Sequence, residues 1–492
     1  MTVSASKGAA PAGEWFGHPA GLTILFLTET WTQFSYFGMR AILIYYMTKE
    51  LLIGQQHASL IYGYYAAAFY FTPIVGGVIA DRVLGKYRAV VLGAVLMALG
   101  HFMMTFESLF YPAMAAVALG NGFFLPSLSS QINSLYASDD PRLASAYNIY
   151  YVGINLGAFV APLLCGWLGE EYGWHWGFGA AGIGMLIALV TYVFGRRHLP
   201  ADQIARKAVG STRSGQMNVA FLGRFALLIG VMLAVVVFRG AYEQNGNSIS
   251  TWTDAGVDRE AGPFLIPLAW FQSINPLLII LLTPFYVAVW TRLARRGREP
   301  SSIQKMVVGA IIVGLSYVLC GLAAHFSGLE HARTSGIWLS LYWVVLTIGE
   351  LFILPVGLGL FGRLAPKGFD ATAIATWFFA GFAGNLLAGY IGTLWSDLPT
   401  PMFFAVVAGV GFVSAVLLAF FIPAASRAEQ TLEAAHIAPA PLPVAEQSAG
   451  AAPALPRTIE NPAGGEIPLT RTRADVRFRA LHPSPSRGEG KT

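Results

Sequence analysis

Four charged residues lie inside long apolar stretches of this sequence: Arg40, Arg239, Glu243 and Glu350. A charge near the middle of a bilayer costs about 2.5–3.5 kcal/mol on insertion scales. A membrane protein with several such charges is expected to hold them around a polar cavity inside a helical bundle. The sequence shows no metal-ligand cluster, nucleophile motif, phosphate loop or cofactor signature. The pattern therefore favours transport of a charged solute over catalysis, and we expect no metal and no cofactor.

The composition predicts that the bilayer is the solvent of most of the chain. Of 492 residues, 55% are hydrophobic and 12% are charged, whereas soluble domains are about 25% charged. Cys165 and Cys320 lie within apolar stretches and have no spacing typical of a metal site or a disulfide framework. The first apolar run contains Glu29 and continues at spanning length, so no cleavable signal peptide is expected.

Hydropathy marks about 12 segments of spanning length between residues 21 and 422. Lys and Arg are distributed unequally between alternate loops: sixteen lie on one side, from Arg82 to Lys367, against Lys49, Arg259 and Arg333 on the other. The positive-inside rule then places both termini of a multi-pass protein of the cell (inner) membrane in the cytoplasm. Because the basic residues lie in these loops, the net charge of +5 gives no reason to expect nucleic acid.

The longest internal polar connection divides the spans into two sets of six, so we predict an all-α membrane protein built from two bundles. The predicted parts are a cytoplasmic N-terminal segment (1–20), a first six-helix bundle (21–197), a basic cytoplasmic linker (198–217), a second bundle (218–422) and a disordered cytoplasmic tail (423–492). The tail is rich in Ala, Pro, Arg and Ser and has few large apolar residues.

Polar residues on the first span form one helical stripe, since Glu29, Gln33, Tyr36 and Arg40 fall at i, i+4, i+7 and i+11. A polar stripe on a spanning helix faces protein or water rather than lipid. One interpretation is a hydrogen-bonded helix seam with Arg40 extending to the surface. Arg40 lies deep for that, which favours a cavity lining.

The seventh and tenth spans carry the other intramembrane charges. Arg239, Glu243, Gly246 and Ser250 repeat the stripe spacing, and Arg239 and Glu243 are i, i+4 neighbours that can pair as a structural unit. Glu350 is isolated in its span, so it either meets a cation or stays protonated; a structural hydrogen bond to a neighbouring helix is the alternative.

A glycine-rich segment, "GGVIADRVLGKYR" at 76–88, connects the second and third spans. Its glycines permit close helix approach and a tight turn, Asp81 can cap a helix, and Arg82 favours retention of the loop on the inner side. We expect a gating or structural role for Asp81 and Arg82.

The chain resembles the proton-dependent oligopeptide transporter (POT/PTR) family of the major facilitator superfamily, in order along residues 21–422. Matching segments include "ETWTQFSYFGMRAIL" (29–43), "YYVGINLGAF" (150–159), "FRGAYEQNGNSI" (238–249) and "GELFILPVGL" (349–358). The resemblance implies the major facilitator fold, with 12 transmembrane helices in two six-helix bundles, and proton-driven uptake of di- and tripeptides. Family members with an extra helix pair between the bundles need a longer linker, so we predict none here.

The resemblance also implies roles for individual residues. The peptide-binding positions are Tyr36, Arg40, Tyr70, Asn155, Asn275, Glu350 and Trp377. Within this set, Asn155 and Asn275 match amide contacts to the peptide, and Glu350 matches the carboxylate that receives its amino terminus. Glu243 matches the carboxylate linked to peptide binding and proton coupling. Apart from the resemblance, we name Glu29 and Arg239 as further coupling candidates, because Glu29 is the carboxylate left in the first-helix motif and Arg239 lies one turn from Glu243.

Three positions depart from the family pattern. The first-helix motif has Thr32 and Gln33 in place of its second carboxylate and arginine, Leu125 stands where a lysine is expected, and Arg239 replaces a tryptophan. Our hypothesis is that Arg239 partly replaces the missing positive charge, while Glu243 remains the group that exchanges a proton.

The expected partners are di- and tripeptides, protons and the lipid bilayer, and the expected oligomeric state is a monomer. Two alternatives remain open at this stage. One is a related symporter for another small anion or amino compound, such as nitrate; the other is a peptide sensor that does not transport.

Overall fold

The computed structural model describes residues 14–15, 17–137, 140–200, 219–366 and 369–437. The described residues up to Ala435 form one compact unit. The predicted linker at 198–217 lies outside the described residues from 201 onward, as do most of the N-terminal segment and residues 438–492 of the predicted tail.

The described chain is almost entirely helical. Its α-helices are α1 (Ala20–Tyr45), α2 (Gln55–Ile79), α3 (Lys86–Met103), α4 (Phe110–Ser134), α5 (Leu143–Tyr172), α6 (Trp174–Phe194), α7 (Val219–Tyr242), α8 (Ser248–Gly256), α9 (Ile274–Arg295), α10 (Ser302–Leu329), α11 (Gly336–Leu364), α12 (Asp370–Thr393), α13 (Thr400–Phe420) and α14 (Ile422–Ile437).

Short strands pair near the helix ends. β1 (Glu14–Trp15) pairs with β2 (His18–Pro19), β3 (Val257–Asp258) with β6 (Thr334–Ser335), and β4 (Glu260–Ala261) with β5 (Phe264–Leu265). The β3–β6 pair is parallel and the other two are antiparallel.

Eleven helical segments of the described chain are long and apolar enough to cross a membrane. One of them joins α7 to α8 over Leu222–Gly256. Helix α1 is not among the eleven because its polar stripe lowers its hydropathy. Its 26 residues nevertheless extend about 39 Å, more than a hydrocarbon core of about 30 Å.

Large apolar side chains are buried in two separate clusters. The first draws on α1–α6 and includes Leu25, Phe124 and Phe178. The second draws on α7, α8 and α10–α14 and includes Phe238 and Phe404. Each helix therefore turns one face to a core and leaves another face for lipid, as expected when burial rather than local propensity fixes the fold.

Helices α2 and α12 join the two halves through glycines. A Cβ on Gly63 would come within 2.6 Å of the Gly389 Cα atom. Only glycine permits this approach, since any larger residue would separate the two backbones.

The prediction of a disordered tail at 423–492 is wrong for residues 423–437, which are helical. Residues Ile422–Ile437 form α14, whose Ala425 is fully buried in the second core cluster. Glu429 accepts hydrogen bonds from Ser302 (2.6 Å) and Arg363 (3.2 Å), which attach α14 to α10 and α11. Ile422 packs against the same cluster, so apolar contacts and these polar bonds together dock the helix.

Candidate functional site

A cavity of about 810 Å³ lies between the two halves. Its walls come from α1, α2, α5, α7, α9, α11 and α12. The charged residues that line it are Arg40, Arg239, Glu243 and Glu350. All four intramembrane charges singled out in the sequence therefore converge on one space.

Two arginines share one carboxylate in the wall of this cavity, and we call Arg40, Arg239 and Glu243 the arginine cluster. Arg40 Nη2 donates to Glu243 Oε2 at 2.9 Å, and Arg239 Nη1 donates to Glu243 Oε1 at 2.6 Å. The Glu243 side chain is 2% exposed. Such charge-assisted bonds stabilise an ionised carboxylate in a buried place, because desolvation of an unpaired ion costs several kcal/mol.

Tyrosines on α2 position both arginines. Arg40 Nε donates to the Tyr62 hydroxyl at 2.6 Å, and Arg239 Nη1 donates to the Tyr70 hydroxyl at 3.1 Å. The Arg239 guanidinium also lies 5.1 Å from the centroid of the Tyr70 ring, within the range of a cation–π contact. Tyr62 and Tyr70 are eight residues apart, so they occupy the same face of α2.

A break in the seventh span places Glu243 at the cavity. Helix α7 ends at Tyr242, a 3₁₀ turn follows over Glu243–Gly246, and α8 begins at Ser248. A Cβ at Gly246 would collide with the Tyr62 hydroxyl and approach Arg40 Nη2. The glycine thus allows the backbone to pass beside the arginine cluster.

Glu350 carries the second carboxylate of the cavity. Asn275 Nδ2 donates to Glu350 Oε2 at 2.7 Å and to Thr347 Oγ1 at 2.9 Å. No cation pairs with Glu350 among the described residues. The Glu350 carboxylate can therefore accept a cationic group from a bound molecule.

The other predicted peptide-binding residues on the wall are Tyr70, Asn155 and Trp377. Asn155 Nδ2 donates to the Tyr151 carbonyl of its own helix at 2.9 Å. Trp377 packs edge-on against Phe361, with ring centroids 5.3 Å apart. These side chains present one amide and two aromatic rings to the cavity.

Tyr36 and Glu29, which the sequence placed on the same stripe as Arg40, do not line the cavity. Tyr36 is buried and stacks on Phe69 at 3.9 Å. Glu29 is fully buried and accepts a bond from Gln33 at 2.6 Å. Its Oε2 atom has no partner in the part of the chain that the structure describes.

The predicted gating pair, Asp81 and Arg82, is exposed on a π-helical turn (Ala80–Leu84) that follows α2. Neither side chain forms an ion pair with a described residue. A gating role for the two stays a prediction.

Ion pairs join the two halves at one end of the molecule, which we call the latched end. Lys49 Nζ lies 2.7 Å from Asp254 Oδ1, and Arg259 Nη1 lies 2.7 Å from Glu170 Oε1. Glu170 Oε2 also accepts the backbone N–H of Leu268 at 2.7 Å. Away from this end, the cavity continues along α5, α9 and α11, lined by Asn148, Val287 and Gly359.

Sequence reasoning missed three polar residues of the site: Tyr62, Asn245 and Gln272. Asn245 Oδ1 lies 3.5 Å from Arg40 Nη2, and Gln272 donates to the Ala41 carbonyl at 3.1 Å. Tyr62 could have been found from its spacing to Tyr70. Asn245 belongs to the matching segment at 238–249, but the periodicity of that segment does not show which face meets the cavity.

Comparison with known proteins gives a consistent family match. The model of the POT family (PTR2) matches residues 87–227 and 222–407. A di-/tripeptide transporter of Lactococcus lactis subsp. lactis (strain IL1403) is 33% identical over 476 residues, covering 82% of this chain and 95% of the relative. An uncharacterized transporter, YclF of Bacillus subtilis (strain 168), is 31% identical over 480 residues, covering 85% and 97%.

A solved structure has the same fold. The crystal structure of a peptide transporter POT in complex with sulfate superposes with a TM-score of 0.78 at 30% identity. The match covers 85% of this chain and 97% of that chain. The match confirms the predicted all-helical membrane fold of the major facilitator superfamily.

Proposed function

Because this chain belongs to the POT family of transporters and is not an enzyme, we propose that it takes up di- and tripeptides together with protons. One observation carries the proposal: cationic and anionic side chains line a single cavity of about 810 Å³. A short peptide in its zwitterionic form has the complementary charges at its two ends. The names of relatives such as the Lactococcus lactis di-/tripeptide transporter support the same substrate class.

In the proposed complex, the peptide carboxylate binds at the arginine cluster and the peptide amine binds Glu350. Asn275 already donates to Glu350 and would orient that carboxylate. Asn155 would meet the peptide amide, and the rings of Tyr70 and Trp377 would accept varied side chains. The charges at the two ends of the peptide fix its orientation in the cavity and limit its length. The site can therefore select short peptides without recognising their side chains.

We propose that Glu243 carries the coupled proton. Arg40 Nη2 donates to Glu243 Oε2 at 2.9 Å, so a proton on this carboxylate weakens its bond to Arg40 and frees the guanidinium for the peptide carboxylate. Proton and peptide would then favour the same state, which is a coupling between two sites. Glu29, with one carboxylate oxygen unpartnered among the described residues, stays a candidate for a second proton.

We propose transport by alternating access, in which two halves rock around the cavity. With the basic loops in the cytoplasm, both termini are cytoplasmic and the latched end faces outward. The described conformation would then expose the cavity to the cytoplasm. Outward opening requires the Lys49–Asp254 and Glu170–Arg259 pairs to separate.

Uptake of labelled dialanine into proteoliposomes tests the proposal. We expect a proton gradient to drive accumulation and an excess of internal dialanine to support counterflow. Glu243→Gln should abolish the response to the gradient and retain counterflow, because exchange requires no net proton movement. Gradient-driven uptake that persists in Glu243→Gln would remove Glu243 from the coupling role.

Two other results would replace the proposal. Nitrate or a small organic anion that is accumulated, while dialanine does not compete, would identify a symporter of another substrate class. Dialanine binding without any peptide-dependent proton flux would identify a sensor.

A further inference from the structure

The arginine cluster carries one more positive charge than the bound carboxylate neutralises. Arg40 and Arg239 both contact Glu243, so the three side chains sum to +1 when Glu243 is ionised and to +2 when it is protonated. Side-chain exposure is 14% for Arg40 and 7% for Arg239. An excess charge this well buried is costly unless an anion approaches.

Arg239 has capacity to bind such an anion. It lines the cavity, and its bonds to Glu243 and Tyr70 both use Nη1. Its buried Nε atom has no partner in the described chain. A guanidinium has five donor hydrogens in a fixed fork, so Arg239 presents donors that the protein itself leaves unused.

A single peptide carboxylate cannot neutralise both arginines once Glu243 takes up a proton. A C-terminal aspartate or glutamate can, because its side-chain carboxylate lies close to its own α-carboxylate. Glu350, the other carboxylate of the cavity, forms no ion pair with a described side chain, and in the proposed complex it binds the peptide amine as an anion. An acidic residue at the peptide amino terminus would therefore meet repulsion.

We propose that Arg239 is a specificity-determining residue, which makes this site prefer peptides with an acidic C-terminal residue. The inference rests on the proposed peptide transport and names the substrate class within it. The second carboxylate binds at Arg239, and the α-carboxylate binds at Arg40. Both bonds are charge-assisted and involve guanidinium groups that are mostly buried.

The test compares peptides of equal size as competitors of labelled-dialanine counterflow by the full chain. Ala-Glu and Ala-Gln differ by one charge at the carboxyl end, and Glu-Ala and Gln-Ala differ by the same charge at the amino end. We expect Ala-Glu to compete roughly tenfold better than Ala-Gln, as one added bond between charged groups predicts. Glu-Ala should compete no better than Gln-Ala.

Two variants separate the role of Arg239 from a general attraction of anions. Arg239→Gln should bring the Ala-Glu to Ala-Gln ratio close to one, and Arg239→Lys should retain most of the preference because the charge remains. If Arg239→Gln does not fold, the four peptides on the unchanged protein still decide whether the preference exists and whether it depends on the end of the peptide.

The outcomes distinguish this inference from the function on which it rests. Dialanine counterflow without a preference for Ala-Glu overturns the inference alone, and so does a preference that Arg239→Gln leaves intact. An equal gain for Glu-Ala would overturn it too, because the preference would then not depend on the end. Absence of dialanine counterflow overturns the proposed function and this inference with it.

Discussion

Removal of the shared carboxylate should destabilise the whole protein, and this is the sharpest test of the arginine cluster. Glu243→Gln keeps the size and shape of the side chain but leaves two guanidinium groups without a counter-ion. It also replaces one carboxylate oxygen by an NH₂ donor that faces an arginine N–H. Every feature of the change is therefore unfavourable.

The structure gives the magnitude. Glu243 is 2% exposed and its bonds to the arginines are 2.9 and 2.6 Å long. Loss of one partner from a buried ion pair costs about 3–5 kcal/mol of unfolding free energy. Adding Arg239→Gln removes one of the two unpaired charges. The double variant should thus be more stable than Glu243→Gln alone, with a coupling energy of about 1–3 kcal/mol.

Thermal and denaturant unfolding of the purified full chain in one detergent measures this cycle. The four proteins are the unchanged chain, each single variant and the double variant, with Glu50→Gln as a control at an exposed carboxylate. An unfolding midpoint of Glu243→Gln equal to that of the control would refute the reasoning. So would a double variant whose loss equals the sum of the two single losses, because the residues would then not interact.

Three further predictions concern other parts of the molecule. Glu350→Gln should weaken dialanine competition at least tenfold, but it should change competition by N-acetyl-dialanine little, since the acetylated peptide has no amine for Glu350 to bind. Gly63→Ala should lower the unfolding free energy by about 1–3 kcal/mol through overpacking, because its Cβ would lie 2.6 Å from the Gly389 Cα atom. A disulfide formed between Lys49→Cys and Asp254→Cys should stop dialanine uptake, and a reductant should restore it.

Each of these predictions has a matched control. Gly409→Ala is the control for Gly63→Ala, because a Cβ at Gly409 meets nothing within 4 Å, and equal losses would contradict the steric argument. The single-cysteine variants control for the cross-link, since both native cysteines are buried. Uptake that continues in the fully cross-linked protein would show that the latched end need not open. Equal weakening of both peptides by Glu350→Gln would contradict the amine contact.

The sequence predicted the spans and the charged residues of the cavity because both follow from the cost of polar groups in a bilayer. Arg40, Glu243 and Glu350 could not lie against lipid, and all three line the cavity. The same rule did not distinguish cavity from helix seam. Glu29 shares the stripe of Arg40 but lies in a protein core. A polar side chain avoids lipid because of its polarity. Whether it then faces a cavity or a protein core depends on how the helices pack.

The pairing of Arg239 with Glu243 was also readable from their i, i+4 spacing. That Arg40 approaches the same carboxylate at 2.9 Å was not, because the contact joins residues 203 positions apart. The helix at Ile422–Ile437 was missed for a similar reason. Most of its apolar residues are alanines, and its contacts with α10, α11 and the second core cluster stabilise it.

The glycine crossing of α2 and α12 has a mechanical consequence. Two backbones this close resist sliding along each other more than rotation, so in the proposed rocking of the two halves Gly63 and Gly389 would serve as the pivot. From Gly63 to Ile79 at the end of α2 the arm is about 24 Å long. A turn of about 15° at the pivot would therefore swing the free end of that arm by about 6 Å. A small rotation at the crossing would therefore produce a larger displacement at the far end of α2.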